Sequence, residues 1–207
     1  MRIWRRNSHT RGHLVWTALA CLWAGGIGAG MFLLARHDGS PGQTASAPEH
    51  WPSGSQIPRD DQRATLIMFA HPRCPCTRAS LGELEKLVAR RPNGATCWVV
   101  YFEPPNAERA WKSADFPSTA NAIPGVHLFR DVDGREARRF GAQTSGQTLL
   151  YDSGGTLRFS GGMTFARGHA GDNDGRASIE SLLANGASEV SQTPVFGCPI
   201  LVPGDPK

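Results

Sequence analysis

The stretch TLIMFAHPRCPCTRASLGELEKLV, from Thr65 to Val88, joins a continuously apolar segment to a helical pattern through two cysteines. Its first six residues are typical of a short strand that is buried on both faces. After the cysteines, apolar residues recur at the spacing of one helix face, at Leu81, Leu84, Leu87 and Val88. Cys74 and Cys76 are therefore predicted to lie where a buried strand passes into a helix.

This position favours reactive thiols. A helix N-terminus presents unpaired backbone N–H groups and a partial positive charge, which stabilise a thiolate and lower its pKa. His71, Arg73 and Arg78 add positive potential nearby. The alternative is a pair of ordinary buried cysteines or a structural crosslink. Two cysteines that flank a single proline at such a junction fit redox or soft-metal chemistry better.

The positive charge of the chain is confined to its start. The formal net charge is +4, and four arginines precede residue 12, ahead of the first acidic residue. From Arg36 onward, 18 basic residues balance 18 acidic ones. The folded part lacks the basic footprint of a nucleic-acid-binding protein, so no nucleic-acid partner is expected.

A stretch of 22 uncharged residues, Leu14 to Ala35, follows those arginines and is long enough to cross a bilayer. We predict a cytoplasmic basic tail at 1–13 and a transmembrane anchor at 14–35. The arginines before the span place the remainder in the periplasm, as a single-pass protein of the inner membrane. A cleaved signal peptide, cut near Gly28 to Gly30, is the alternative. The apolar stretch exceeds the usual signal core of about 7 to 15 residues, which favours an uncleaved anchor.

The remaining chain divides into three predicted parts: a linker at 36–61, a domain at 62–187 and a C-terminal tail at 188–207. The linker is rich in proline, glycine and serine without apolar periodicity. In the domain, predicted strands at 65–70, 96–102, 125–130, 148–151 and 157–159 alternate with predicted helices at 77–91, 106–114, 134–140 and 175–184. This alternation indicates a layered α/β domain with a partly parallel sheet.

The chain resembles the thioredoxin-like superfamily and, within it, the membrane-anchored TlpA and redoxin branch. Three segments carry the resemblance: the junction at Leu66 to Leu81, DVDGREARRFGA at Asp131 to Ala142, and TLLYDSGGTLRFSGG at Thr148 to Gly162. The segments FSGGMTFARGHAGDN and TPVFGCPI also resemble a smaller group of bacterial proteins labelled RedB. The resemblance implies a three-layer α/β/α fold with a central mixed sheet and thiol-disulfide exchange with protein thiols.

Two departures from the thioredoxin pattern concern the site. Cys74 and Cys76 enclose one residue instead of two, so either Arg73 or Thr77 replaces one cysteine of the family. Gln147 stands where the family places a cis-proline beside its thiols. A cis bond costs about 2.5 to 4 kcal/mol when the residue is not proline, so a trans bond is expected there.

The predicted catalytic thiols are Cys74, Cys76 and Cys198. Cys76 is slightly favoured as the helix-start thiolate, with Cys74 as its partner; Cys198 is either a resolving thiol on a mobile tail or a structural cysteine. Cys97, in an apolar strand, is expected to be inert.

Substrate contacts are predicted for Arg73, Gln147 and His169. His169 lies in a glycine-rich segment that forms either a plain surface turn or a rim over the thiols. Thiol-disulfide exchange by these cysteines requires no cofactor, and none is predicted. The alternative function is a copper chaperone or assembly factor, with Cys74, Cys76 and His71 as ligands.

Overall fold

The computed structural model describes residues 7–43, 46–105 and 116–201, with side chains from residue 12 onward. The chain divides into two compact units, Met1–Asp38 and Gly39–Lys207. The predicted helix at 106–114, which includes Trp111, and the start of the basic tail lie outside the described residues.

The first unit contains one helix, α1, at Asn7–Asp38. Its segment Gly12–Asp38 is long and apolar enough to cross a membrane, with a mean hydropathy of 1.9, and its most apolar window is fully exposed. A candidate membrane span therefore lies where the sequence predicts one.

The second unit contains a five-stranded mixed sheet. Its strands are β1 (Ala64–Ala70), β2 (Ala95–Glu103), β3 (Val126–Val132), β4 (Thr148–Tyr151) and β5 (Leu157–Gly161). They lie in the order β3-β2-β1-β4-β5, with β1, β2 and β3 parallel to one another and β4 antiparallel to both β1 and β5. The described part of this unit has four helices: α2 (Thr77–Arg90), α3 (Phe116–Asn121), α4 (Arg135–Arg139) and α5 (Asp174–Asn185).

The central strand β1 is apolar throughout because it lies between two hydrophobic cores. In β1, Leu66, Met68 and Ala70 join the core beneath α2, α3 and α5. Ile67 and Phe69 join the opposite core, beneath α4. Because successive side chains of a strand point to opposite faces, a strand covered on both sides is apolar throughout. The three-layer α/β/α prediction is confirmed.

Two local features differ from the sequence prediction. Helix α3 was not predicted; a proline at its second position suits the first helical turn, where its missing N–H has no helical partner. Helix α5 is capped by Asn173 rather than Asp174, because the Asn173 side chain accepts a hydrogen bond from the backbone N–H of Arg176 at 2.8 Å.

The predicted linker packs against the domain over its second half. Trp51 meets the rings of Phe140 and Tyr151 edge-on at centroid distances of 5.1 and 5.3 Å. The Tyr151 hydroxyl donates to the Pro48 carbonyl at 2.9 Å, and Ile57 is 2% exposed. Among the described residues, α4 is the one helix on this face of the sheet, and it has five residues. An extended segment covers further apolar surface there. Extended coverage has no helical periodicity, which is why the sequence pattern did not reveal it.

The predicted mobile tail is also packed against the domain as far as it is described. Residues 191–193 run along β5, with the Ser160 N–H donating to the Ser191 carbonyl at 3.0 Å. Ile200 is 1% exposed and belongs to the core beneath α4. A Cβ on Gly161 would lie 2.6 Å from the backbone nitrogen of Thr193, so the paired glycines after β5 allow this close approach.

Candidate functional site

Cys74 and Cys76 lie in the turn between β1 and α2. The Cys74 N–H donates to the His71 carbonyl at 2.9 Å, and the Thr77 N–H donates to the Cys74 carbonyl at 3.1 Å. Cys76 is the N-cap residue of α2 and has helical dihedrals, φ −68° and ψ −24°. The strand-to-helix position predicted from the sequence is observed. Both side chains are mostly buried, Cys74 at 5% and Cys76 at 8% exposure.

A third thiol, Cys198, meets this pair from a distant part of the chain. Its backbone N–H donates to the Cys74 Sγ at 3.4 Å. Its carbonyl accepts from the Ser145 N–H at 2.8 Å, in the loop that precedes β4. The structure thus brings together all three cysteines that the sequence nominated, and each is a free thiol.

The surroundings of Cys74 favour its thiolate. Burial acts to raise the pKa of the Cys74 thiol, but hydrogen bonds from the Cys198 thiol and N–H, the Thr77 hydroxyl and the Cys76 N–H outweigh it and lower this pKa below its ordinary value. Hydrogen bonds to a charged form favour that form. Cys74 is therefore the most easily ionised member of the cluster.

The other two thiols are held neutral. Burial, followed by the charge and hydrogen bonding of Cys74, raises the pKa of the Cys76 thiol above its ordinary value, although Arg167 and the Gly168 N–H oppose this. Burial and the same neighbour raise the pKa of Cys198 to about 12. These directions contradict the preference for Cys76 as the thiolate. Helix-start position alone does not decide ionisation, because the donors converge on Cys74.

Thr77 and Ser145 form a polar bridge beneath the thiols that sequence reasoning did not assign. Their hydroxyls lie 2.8 Å apart, and the Ser145 hydroxyl accepts from the His71 N–H at 2.9 Å. Thr77 stands at the position of the family's second cysteine when Cys74 is taken as the first. This alignment is one of the two that the sequence left open, and it could have identified Thr77 as a site residue.

The three predicted substrate contacts lie in different surroundings. Arg73 is exposed beside Cys74, and its N–H donates to the His71 Nδ1 at 3.2 Å. Gln147 is fully buried, and neither polar atom of its side chain has a hydrogen-bond partner. His169 is exposed, with its Nδ1 2.7 Å from the Arg167 carbonyl. Of the three, only Arg73 lines the cleft that reaches Cys74.

The expected trans bond at Gln147 is observed, since no cis peptide bond occurs among the described residues. The Gln147 carbonyl accepts from the Phe69 N–H at 2.8 Å, and the Gly146 N–H donates to the Phe69 carbonyl at 2.7 Å. This pairing attaches the loop to the end of β1, directly before the thiol-bearing turn.

The glycine-rich segment at 161–173 forms a rim over the thiols. Its Gly168 N–H hydrogen-bonds the Cys76 thiol, and the Arg167 guanidinium lies close enough to lower the pKa values of Cys76 and Cys198 by its charge. Arg167 also donates to the Gly197 carbonyl. The sequence left open a plain surface turn or a rim, and these contacts support the rim.

A buried ion pair anchors this rim to α2. Glu83, fully buried, accepts from Arg176 Nε at 2.8 Å and from the Gly171 N–H at 2.9 Å. Burial acts to raise the pKa of the Glu83 carboxyl, but the hydrogen bonds from Lys86, Gly171 and Arg176 outweigh it and lower this pKa. The carboxylate thus ties the rim and α5 to the helix that begins at the thiols.

A cleft of about 390 Å³ opens beside Cys74. Its described lining combines apolar and basic side chains: Pro72, Arg73, Pro75, Arg78, Leu81 and Phe116. Cys74 is the only one of the three clustered thiols in this described lining.

The copper alternative does not find its ligand set in the described part of the chain, where no group of three or more histidine, cysteine, aspartate or glutamate side chains is arranged to hold a metal ion. The His71 ring is stacked on Phe102 at a centroid distance of 5.9 Å. Cys97, in β2, lies apart from the three clustered thiols. Burial raises the pKa of its thiol to about 12, in accord with an inert core residue.

No family model matches the chain, and no curated protein matches it. Among solved structures, an uncharacterized conserved protein from Geobacillus kaustophilus is similar over 80% of this chain and 94% of its own, with 20% identity and a TM-score of 0.56. A hypothetical protein from Sinorhizobium meliloti is similar over 78% and 93%, with 21% identity and a TM-score of 0.53. A secreted Mycobacterium tuberculosis disulfide oxidoreductase homologous to E. coli DsbE is similar over 60% and 82%, with 17% identity and a TM-score of 0.42.

The first two likenesses cover nearly the whole length of those proteins and concern the fold alone. This chain has the mixed sheet order β3-β2-β1-β4-β5 and a helix that starts at the cysteine-bearing turn. The chain therefore has a thioredoxin-like fold.

Proposed function

We propose that this protein performs thiol-disulfide exchange with protein thiols, and that Cys74 is the attacking thiolate. The observation that carries this proposal is the convergence of hydrogen-bond donors on the Cys74 Sγ, which lowers its pKa although the side chain is mostly buried. The thiolate is the nucleophile in disulfide exchange, so the most easily ionised thiol attacks first.

The reaction requires two displacements at sulfur. The Cys74 thiolate attacks one sulfur of a partner disulfide, forms a mixed disulfide and releases the first partner thiolate. Cys198 then loses its proton to solvent and attacks the Cys74 Sγ, which releases the second partner thiolate. The partner disulfide is reduced to two thiols, and Cys74 and Cys198 are oxidised to a disulfide; the reverse sequence oxidises a partner dithiol.

Cys198 suits the resolving step better than Cys76. Its backbone N–H already contacts the Cys74 Sγ at 3.4 Å. Cys76 holds helical dihedrals two residues from Cys74. A disulfide requires Cα atoms about 4.4 to 6.8 Å apart with suitably directed Cβ atoms, and helical geometry opposes this between such close neighbours.

We further place the chain in the membrane-anchored TlpA and redoxin branch, with its domain in the periplasm and α1 as an uncleaved anchor in the inner membrane. The length and apolar character of Gly12–Asp38 support the anchor. The arginines before this segment support a cytoplasmic N-terminus. The turn and short helix that follow β3, and the hairpin of β4 and β5, support the branch. Protease digestion of spheroplasts should remove the domain, and survival of the domain would contradict this orientation.

The exchange reaction is tested by incubating the reduced, full-length protein with glutathione disulfide at pH 7. After alkylation of free thiols, mass spectrometry should show a bond between Cys74 and Cys198, while Cys97 remains free. In Cys198→Ser, the mixed disulfide with glutathione should accumulate on Cys74. A free Cys74 after prolonged incubation would refute the proposal. Stoichiometric retention of copper by a protein that shows no exchange would support the copper alternative instead.

A further inference from the structure

The C-terminal segment 195–201 lies across the loop that borders the thiols. The Ser145 N–H donates to the Cys198 carbonyl and the Ile200 N–H donates to the Gln143 carbonyl, both at 2.8 Å. Thr144 and Pro199 are paired between these bonds in antiparallel fashion. Residues 198–200 are therefore held as a short extended strand against residues 143–145.

Two further elements clamp the same segment. The Gly42 N–H donates to the Val195 carbonyl at 2.8 Å. Arg167 donates to the carbonyls of Gly197 and Ser40, so one guanidinium ties the rim, the C-terminal segment and the start of the domain together. The segment is thus fixed on both sides, with Cys198 directly at the Cys74 sulfur.

The fit depends on the absence of a side chain at Gly197. A Cβ at this position would lie 1.9 Å from the Ser145 carbonyl oxygen, a distance that forces the backbone apart. A backbone that approaches another this closely requires glycine. The glycine before Cys198 therefore allows this segment to pack closely against the loop. A chain end that does not pack against the domain would not require a glycine there.

We propose that residues 195–201 form a strap that occupies the surface where an incoming polypeptide must lie to reach Cys74. The strap presents an extended backbone and a cysteine to the attacking sulfur, as a polypeptide substrate would. It leaves with the substrate's arrival and returns when the substrate departs. This inference rests on the proposed exchange function and adds to it a competition between an internal and an external cysteine-bearing segment.

The strap accounts for two features of the site together. It contacts Cys74, which is 5% exposed, and it supplies the N–H and thiol that lower the pKa of this cysteine. The cleft beside Cys74 gives a small disulfide access to the sulfur. On this proposal, a polypeptide also needs the surface that the strap covers. In the oxidised protein, the Cys74–Cys198 disulfide would hold the strap covalently. In the reduced protein, hydrogen bonds alone hold it, so that a substrate can displace it.

The test compares two disulfide probes on the reduced, full-length protein and on Gly197→Ala. One probe is glutathione disulfide, and the other is a disulfide between glutathione and a cysteine within a ten-residue peptide. Loosening the strap should raise the ratio of the peptide rate to the glutathione rate by about tenfold, the factor that corresponds to about 1.4 kcal/mol. The matched control is Gly82→Ala in α2, where an added Cβ meets no atom within 4 Å and the ratio should not change.

The outcomes separate the two proposals. An unchanged or lower ratio in Gly197→Ala, with both probes still reacting at Cys74, would overturn the strap and leave the exchange function intact. A Cys74 that reacts with neither probe in either protein would overturn both.

A second measurement does not depend on a loosened variant. In Cys198→Ser carrying the peptide as a mixed disulfide on Cys74, hydrogen exchange at the amides of Ser145 and Ile200 should accelerate at least tenfold relative to the free protein. These two amides make the hydrogen bonds between strap and loop. Retained protection in the mixed disulfide would show that the strap stays in place and would overturn the proposal.

Discussion

Replacing Cys198 with alanine removes the thiol that hydrogen-bonds Cys74 while leaving the backbone N–H at 3.4 Å in place. A hydrogen bond to a charged group contributes about 1.5 to 3 kcal/mol, and a sulfur donor lies at the lower end. About 1.4 kcal/mol corresponds to a tenfold change in the ratio of thiolate to thiol. The pH midpoint for alkylation of Cys74 should therefore rise by about one pH unit.

The control is Cys198→Ser, which keeps a donor of similar size. Burial is the largest influence on the Cys74 thiol, and alanine also admits water, so the serine variant separates loss of the donor from loss of bulk. The assay is iodoacetamide alkylation between pH 5 and 10, with tandem mass spectrometry to assign the label to Cys74. A midpoint in Cys198→Ala equal to or below that in Cys198→Ser would refute the idea that Cys198 stabilises the thiolate.

Three further predictions concern the framework of the domain. Arg176→Met removes the buried partner of Glu83, which keeps Lys86 and the Gly171 N–H, and should lower the free energy of unfolding in urea by about 3 kcal/mol. Arg90→Met, at an exposed ion pair, should change it by less than about 1 kcal/mol. Trp51→Ala removes two edge-on aromatic contacts beneath α4 and should cost about 3 kcal/mol in the same assay; a value near zero would show that residues 46–57 are a free linker. Cys97, whose pKa burial raises to about 12, should stay unalkylated at pH 8 in the native protein and react only after unfolding; labelling as fast as that of Cys74 would contradict its burial.

The sequence predicts most of the secondary structure of the domain because its central strand is apolar throughout and its longer helices are periodic. The sequence of β1 is apolar throughout because both faces of this strand are covered, and the sequence of α2 has apolar residues at the spacing of one helix face. The extended segments that complete the core show no such sequence pattern. Trp51 and Ile57 are isolated apolar residues among polar and proline-rich neighbours, and Ile200 lies in a short apolar stretch interrupted by Gly197 and Pro199. No period marks either segment.

The site shows the same division. The position of the thiols at the junction follows from the local sequence around Cys74 and Cys76, but the ionisation of Cys74 also depends on Cys198, 124 residues away. Cys198 and Ser145 reach the turn only through the pairing of the C-terminal segment with the loop before β4. Gln147, nominated as a substrate contact, lies fully beneath the surface.

The sequence alone determined the strand-to-helix placement of the cysteines, the layered α/β architecture and the apolar segment near the N-terminus, because each depends on local periodicity and composition. Only the tertiary structure showed that Cys198 is held against Cys74, a contact that favours ionisation of Cys74. A thiolate is stabilised by whichever donors surround it, and these donors come from chain segments that the fold brings together.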